Sequence, residues 1–533
     1  MEASPTLTER RLLVVEDHLE AELHNEEYED TLIDDPNNTA GGGSSVWGAT
    51  MNFTNCIIGA GAIGLGGAIA ESGGLVSLFT IVGCAVLVKL SLDVVIELSL
   101  AHGCSTFEQL GQTAFGMPGR FLVIAAKFAY SFGCLIAYTV VIQDNLGPAL
   151  ADAVHWAETN PTLVTWIASA TIVLPLCLLR DLAPLAGASL LSVLSMLSIV
   201  VIVMHLWWVG VPEPPAAVVA DEAEATTASL VYHHWFQIRW SGFLNNMGTF
   251  VFTFVCQHTA HLAFDSLRRE LQNLPTWKVV STASITISCL VSLTVGAFVY
   301  MTFWERTVSD IFQIYPATKL LDGAKLLLCF TMLLTFPMPF FTCRELIALS
   351  CRCGRVTNED DDFAVDSEEV RQTPDANEEH RDPLGEPLLP QPDHDGENGD
   401  FAVEREETTT YTSLSDLLAL QNSRSSLVES EEDFSVPPLS SYTHTLLTVT
   451  LWFVSTTLAV AAPNLGDVLD LVGCLSGTLI AFILPALISI RLSGASRTNS
   501  LILGIGGVVG AVGTVCSIQQ LLRDSRQSSD EDG

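Results

Sequence analysis

Long apolar stretches constrain this chain more than any other feature of its sequence. A membrane-spanning helix needs about 20 mostly apolar residues, and about eleven stretches reach that length. Only 16% of the residues are charged, against about 25% in soluble domains. The sequence therefore predicts an all-α integral membrane protein, with spans near residues 53–72, 75–100, 121–145, 162–179, 184–210, 243–264, 279–303, 322–349, 443–462, 467–490 and 499–521.

The formal net charge of −36 is concentrated outside these spans. Two acidic segments contain few aromatic residues and cannot bury enough apolar surface to fold, so we expect them to be disordered. Such an acidic chain is unsuited to binding nucleic acid. The acidic segments are either solvated spacers or, if phosphorylated, sites for cytosolic regulatory proteins. The predicted organisation is a tail (1–45), spans 1 to 8 (46–350), an acidic loop (351–441), spans 9 to 11 (442–521) and a C-terminal tail (522–533).

The distribution of Lys and Arg predicts the orientation, because cytosolic loops carry an excess of basic residues. With a cytosolic N-terminus, ten basic residues fall in inner loops and four in outer loops, with two more in the outer C-terminal tail. Both acidic segments are then cytosolic, and the glycosylation sequon at Asn37 is expected to carry no glycan. No sorting signal separates the plasma membrane from a vacuolar or lysosomal membrane.

The stretch NCIIGAGAIGLGG (55–67) allows two interpretations. Gly59, Gly61 and Gly64 fit the G-x-G-x-x-G of a dinucleotide-binding loop, which needs an acidic residue about 20 positions later. Cys84 stands at that position, within an apolar run too long for a strand. We therefore favour a membrane helix that glycine weakens and that opens where it lines a cavity. Close packing through small residues is the alternative.

Five stretches together resemble the amino acid/auxin permease family. NCIIGAGAIGL is similar to its first-helix signature N-x-x-x-G-x-G-x-x-G-L-P, although Gly66 stands where the family often has proline. The sodium-coupled neutral amino acid transporters and the vacuolar amino acid transporters are the most similar members. The other stretches are LPLCLLRDLAPLAGASLLSV (174–193), FTFVCQHTAHLAFDSL (252–267), LTFPMPFFTCREL (334–346) and LDLVGCLSGTLIAFILPAL (469–487).

The resemblance implies eleven helices, of which ten form two inverted five-helix repeats of the LeuT type. Spans 1 and 6 are then broken, and the substrate lies between them. Helix starts attract a carboxylate, and unwound carbonyl groups attract an ammonium group. No arginine faces the predicted site, which favours a neutral amino acid over a dicarboxylate. The predicted substrate contacts are Ile58, Gly59, Ala60, Gly61 and Ala62 in span 1, and Phe254, Val255, Cys256, Gln257 and His258 in span 6.

The driving ion is sodium or a proton. By the resemblance, Asn55 is the side chain of span 1 associated with Na⁺, and Thr335 and Thr331 share one face of span 8. Each threonine hydroxyl could instead bond its own i−4 carbonyl. His258 titrates near neutrality and could relay a proton, whereas a neutral, hydrogen-bonded core histidine is equally consistent. No other cofactor is expected.

Other polar residues of the spans allow simpler interpretations. Lys89 and Asp93 are four residues apart and should pair, and Glu71 should be a surface charge at the outer end of span 1. The sequence alone does not explain why Lys127 lies in span 3. Most cysteines lie in apolar runs and should be small buried hydrophobes.

A secondary active transporter of neutral amino acids is the function that these patterns favour. The alternative is a transceptor that senses amino acids and signals through its acidic segments. A channel would need rings of pore-lining polar groups. An enzyme has little support, since no G-x-S-x-G motif or membrane-embedded catalytic pair is visible.

Overall fold

The computed structural model describes residues 43–151, 154, 157, 159–180, 186–211, 234–350 and 440–531. Those up to Ile347 and from Ser440 belong to one compact unit. The acidic segments predicted at 1–45 and 351–441 lie almost entirely outside the described residues, as does Asn37.

The described residues are mainly helical, and an isolated bridge joins Ser44 to Leu267. The main helices are α1 (Val46–Ile57), α2 (Ala60–Ser72), α3 (Gly74–His102), α4 (Phe107–Ala149), α5 (Pro161–Leu178), α6 (Ala186–Val209), α7 (Trp240–Asn245), α8 (Met247–Phe252), α9 (Ala260–Asp265), α10 (Leu274–Phe303), α11 (Ile311–Ile314), α12 (Lys319–Ser350), α13 (Ser441–Val460), α14 (Leu465–Ser493) and α15 (Arg497–Arg523).

Polar residues with short side chains begin most of the long helices. Each accepts a hydrogen bond from a backbone N–H in the first turn, which satisfies one of the donors that a helix start leaves free. These N-caps are Ser45, Thr106, Asn273, Thr318, Ser440, Asn464 and Ser496. The helix boundaries therefore follow from local sequence.

Among the described residues, nine helices are long and apolar enough to cross a membrane, and the bent pair α1–α2 makes a tenth span. The all-α membrane class is confirmed, but the count of eleven spans is not. The exception is the sixth predicted span, 243–264. It consists of the end of α7, then α8, a 3₁₀ turn at Gln257–Thr259 and α9, and none of these elements reaches membrane-spanning length.

The glycines of span 1 act mainly in close packing beyond the break. Only Ile58 and Gly59 leave the helical path, and the helix resumes at Ala60. A Cβ on Gly67 would lie 2.7 Å from the backbone nitrogen of Ser309, and one on Gly66 would lie 2.7 Å from Ile311. The expected unwinding is therefore shorter than the run of glycines suggests, because most of them let neighbouring segments approach α2.

Candidate functional site

The break in span 1 creates a new helix start, that of α2. The axes of α1 and α2 differ by 49°, and Gly59 at the N-cap of α2 has φ −128° and ψ −149° without a side-chain cap. The first N–H groups of a helix have no partner within it, and the helix dipole makes this end positive. The break can therefore hold an anionic group such as a carboxylate.

The break in span 6 leaves the helical path between Phe252 and Gln257. In a continuous helix the N–H of Cys256 would donate to the carbonyl of Phe252. Here it donates to Oε1 of Gln257 at 3.1 Å. The N–H of Thr259 bonds the carbonyl of Cys256 at 3.1 Å, in a 3₁₀ pattern. Carbonyl groups on one side of the break thus lose their helical donors.

The two breaks touch each other. A Cβ on Gly61 would lie 2.7 Å from Cα of Thr253 and 3.2 Å from Cδ1 of Phe252. All ten predicted substrate contacts are buried. The structure therefore brings the two predicted groups of residues together at one place. Ala60, Gly61 and Ala62 lie in the first turn of α2 rather than in unwound chain.

Two tyrosines of α4 contact the breaks and were missed in the sequence. The hydroxyl of Tyr138 would lie 2.9 Å from a Cβ on Gly59. The hydroxyl of Tyr130 bonds the carbonyls of Phe252 and Val255 at 3.1 and 3.2 Å. Buried tyrosines usually find a hydrogen-bond partner, and these two share one helix face. That spacing was the available signal.

The two histidines of span 6 differ in their surroundings. Nε2 of His261 lies 2.8 Å from the hydroxyl of Ser99, so His261 fits the core interpretation. The ring of His258 lies 5.0 Å from that of Tyr130, and its Nδ1 has no hydrogen-bond partner although the residue is only 8% exposed. His258 is thus the histidine available to a ligand.

The predicted sodium residues are buried. Thr335 donates to the carbonyl of Thr331, and Thr331 to that of Leu327, both at 2.9 Å. These are the i−4 bonds weighed as the alternative. A hydroxyl that donates keeps its oxygen lone pairs, so the bonds leave both oxygens able to bind a cation. Ser192 of α6, missed in the sequence, has its hydroxyl 3.4 Å from that of Thr335.

Helices α1 and α12 meet close to the break. Sγ of Cys56 lies 3.7 Å from Sδ of Met338, and Asn55 is 3% exposed in the last turn of α1. The predicted ion residues therefore lie on neighbouring helices, with α6 packed against both.

Two pairs of oppositely charged side chains lie within the spans. Lys89 bonds Asp93, as predicted. Nζ of Lys127 lies 2.5 Å from a carboxylate oxygen of Glu108, whose side chain is 5% exposed. The sequence could not supply this partner, because Gly116 has φ 68° and turns the first part of α4 back towards the rest of the helix.

A separate cavity of about 300 Å³ lies at the end of α2 remote from the break. Burial raises the pKa of Asp310 to about 6, and Asn145 donates to its carboxylate at 2.5 Å. Glu71 is exposed, as predicted, and also accepts a hydrogen bond from Asn246 at 2.8 Å. None of the predicted site residues lines this cavity. We call it the acidic cavity, because it is lined by the carboxylates of Glu71, Asp144, Asp310, Asp467 and Asp470.

A multi-pass helical protein in which the first and sixth spans break and touch has the architecture of a membrane transport protein. The model of the family described as "Transmembrane amino acid transporter protein" matches residues 42–519. The chain belongs to that family. The predicted resemblance is thus confirmed, and so is the class: the family and the relatives below are transporters rather than enzymes.

Curated relatives agree with this membership. Sodium-coupled neutral amino acid transporter 11 of Danio rerio is 28% identical over 58% of this chain and 66% of its own length. Vacuolar amino acid transporter 2 of Saccharomyces cerevisiae is 28% identical over 63% of this chain and 68% of its own length. The chain thus spans just under two thirds of the length of the sodium-coupled relatives it matches.

Solved structures with a similar course of the chain include a Na⁺-coupled sialic acid symporter, with a TM-score of 0.48 and 8% identity over 89% of this chain and 88% of that one. The manganese transporter of Eremococcus coleocola has a TM-score of 0.41 and 12% identity over 92% and 88%.

Proposed function

We propose that this chain is a secondary active transporter of neutral amino acids, and that the contact between the two breaks is its substrate site. One observation carries the proposal: the first turn of α2, at Gly61, lies directly against the broken backbone of span 6 at Thr253. A helix start and freed carbonyl groups in contact offer opposite partial charges, which is what a zwitterion needs at its two ends.

The side chains around the breaks support a neutral substrate. Tyr130, Tyr138 and His258 surround them together with apolar residues, and Lys127 is already paired with Glu108. A second carboxylate on the substrate would enter a low-dielectric region in which the described residues place no free cation beside it, which is costly. The name of the Danio rerio relative specifies neutral amino acids, which supports the same class.

We propose Na⁺ as the driving ion, with Asn55, Thr335 and Thr331 as its side-chain ligands. The support is the choice of oxygen donors, since hard cations prefer carbonyl and hydroxyl oxygen, and the sodium coupling in the name of the Danio rerio relative. A proton at His258 is the second candidate, favoured by its unpartnered Nδ1.

We also propose a cytosolic N-terminus, so that the acidic cavity opens to the non-cytosolic side of a plasma, vacuolar or lysosomal membrane. Regulatory proteins of the cytosol would then meet both acidic segments. A glycan on Asn37 in cells would overturn this orientation.

Uptake into reconstituted vesicles tests the function and the ion together. L-alanine and L-glutamine uptake should fall when choline replaces external Na⁺ and should change less with external pH. Asn55→Ala and Thr335→Ala should each raise the Na⁺ concentration for half-maximal uptake about tenfold, because each removes an oxygen ligand.

Thr457→Ala is the matched control, since Thr457 makes the same i−4 bond on an exposed face of α13. Uptake that follows pH and ignores Na⁺ would reject sodium in favour of the proton. Absence of amino acid accumulation under every gradient would reject the transporter itself.

A further inference from the structure

The break in span 6 contains nothing that opens a helix by itself. Residues 249–260 read TFVFTFVCQHTA, without glycine or proline. In the low-dielectric interior of a membrane protein, each missing backbone hydrogen bond is costly. Such a segment should close into a continuous helix unless contacts from elsewhere in the fold replace the lost bonds.

Two carbonyl groups at this break lose their helical partners. The N–H of Cys256, which would bond Phe252, is held by the side chain of Gln257. The N–H of Thr259, which would bond Val255, is held by the carbonyl of Cys256. The oxygens of Phe252 and Val255 are therefore free of the helical pattern, and both are buried.

The hydroxyl of Tyr130 replaces both lost donors. It lies 3.1 Å from the oxygen of Phe252 and 3.2 Å from that of Val255, so one proton is shared between them. Its ring is held 5.4 Å from the ring of Phe252 and 5.0 Å from that of His258. Tyr130 is 2% exposed. The hydroxyl thus holds together the oxygen of Phe252, at the start of the break, and that of Val255, within it.

We propose that Tyr130 is a positioning residue, which keeps the carbonyls of Phe252 and Val255 convergent so that they bind the ammonium group of the substrate. This rests on the proposed function. A carbonyl oxygen has two lone pairs, and an ammonium group has donors only. The hydroxyl uses one lone pair of each oxygen, and the second lone pair of each remains for the substrate. The start of α2, in contact at Gly61, receives the carboxylate.

Uptake kinetics of Tyr130→Phe test the proposal, with L-alanine and N-methyl-L-alanine as probes. The variant keeps the ring and loses the shared proton. The KM for L-alanine should rise three- to tenfold, consistent with the worth of a hydrogen bond inside a membrane protein, while Vmax stays within twofold. The KM ratio of N-methyl-L-alanine to L-alanine should move towards one, since the methylated amine has fewer N–H donors to lose.

Tyr442→Phe is the control, because Tyr442 is 77% exposed and lies in the first turn of α13, away from the breaks. A purely structural role for Tyr130 would lower Vmax and leave the KM ratio unchanged, and that result overturns the proposal. So does an unchanged KM for L-alanine.

A second measurement reports on the break without transport. Cys256 lies within the break and Cys329 lies in α12, and both are buried free thiols. In Tyr130→Phe, alkylation of Cys256 measured by mass spectrometry should accelerate at least threefold relative to Cys329. An unchanged ratio refutes the hold of Tyr130 on the break. If the unaltered chain takes up neither probe, the proposed function and the ammonium role fail, whatever the alkylation shows about the break.

Discussion

Span 1 leaves the helical path at two residues, Ile58 and Gly59, whereas span 6 leaves it over four, Thr253–Cys256. The first break contains a glycine, and no side chain caps the helix that follows it. The second contains neither glycine nor proline, and the side chains of Tyr130 and Gln257 bond its freed backbone groups. The break in span 1 therefore follows from its local sequence, and the break in span 6 depends on the surrounding fold.

This difference gives the two breaks different roles in the proposed substrate site. The uncapped start of α2 keeps N–H groups available, so it can bind an anion without first giving up a partner. The carbonyls of span 6 are already held in place by Tyr130. Binding of the proposed ammonium group there would need little reorganisation, because both oxygens already lie within 3.2 Å of one hydroxyl.

The contact between the breaks should be the feature most sensitive to substitution. Gly61→Val places a side chain against the backbone of Thr253, 2.7 Å from its Cα at the Cβ position alone. Because backbone cannot move aside as a flexible side chain can, we expect L-alanine uptake to fall more than a hundredfold.

Gly83→Val is the control for Gly61→Val. A Cβ on Gly83 meets no atom within 4 Å. This variant therefore also replaces a helix glycine by valine, but without a collision. Both proteins should elute as monodisperse peaks in detergent. Near-normal uptake by Gly61→Val would show that the breaks are not the substrate site.

Removal of the amide of Gln257 should affect only the break in span 6. In Gln257→Leu the N–H of Cys256 loses its acceptor, and an unpaired buried donor costs about 1–3 kcal/mol. We expect uptake to fall about tenfold and alkylation of Cys256 to accelerate. Gln257→Asn keeps an amide and should fall less. Equal losses in the two variants would mean that the length of the side chain matters rather than its oxygen.

The half of span 1 beyond its break should respond to pH, because the loop that carries Asp310 packs on α2 at Gly67. Burial raises the pKa of Asp310 to about 6, from about 3.9 in water. The observed conformation therefore binds the proton more tightly than one in which Asp310 is hydrated. Its preference is complete below about pH 4, falls as the pH rises, and is lost above about pH 6.

Groups around Asp310 also affect its pKa. The N–H of Phe312, the amide of Asn145 and the charge of Lys325 on α12 favour its ionised form, and the carboxyl of Asp144 on α4 interacts with it. The carboxylates of Glu71, Asp467 and Asp470 complete the acidic cavity.

Alkylation of an introduced Ser309→Cys measures the opening of this loop. The rate should be compared at each pH with the same cysteine in an Asp310→Asn background, which cancels the pH dependence of the thiol. Asparagine imitates the protonated acid, so the ratio of the two rates should fall about tenfold from pH 7.5 to pH 5. A ratio that does not change with pH would exclude Asp310 as the group that holds the loop.

Much of the site could be predicted from residue types and their order. Gly59 marked the first break because glycine weakens a helix, and Gly61 lies just beyond it in the first turn of α2. The pairing of Lys89 with Asp93 followed from a spacing of four residues. The second break was predicted only through the family resemblance, since its own residues show no helix breaker.

Other features needed contacts between distant residues. The pairing of Lys127 with Glu108 depends on the turn at Gly116. The bonds from Tyr130 cross more than 120 positions of the chain. No periodicity within one helix could indicate these partners.

The sequence by itself determined that this chain is a helical membrane protein and where most of its helices begin. Apolar length and capping residues act within a few turns of one helix, so they can be read locally. The tertiary structure decided that the two breaks touch, that span 6 stays open, and which side chains hold it open. Those outcomes depend on hydrogen bonds and close approaches between separate helices, and in a low-dielectric interior each lost backbone bond must find a partner elsewhere in the fold.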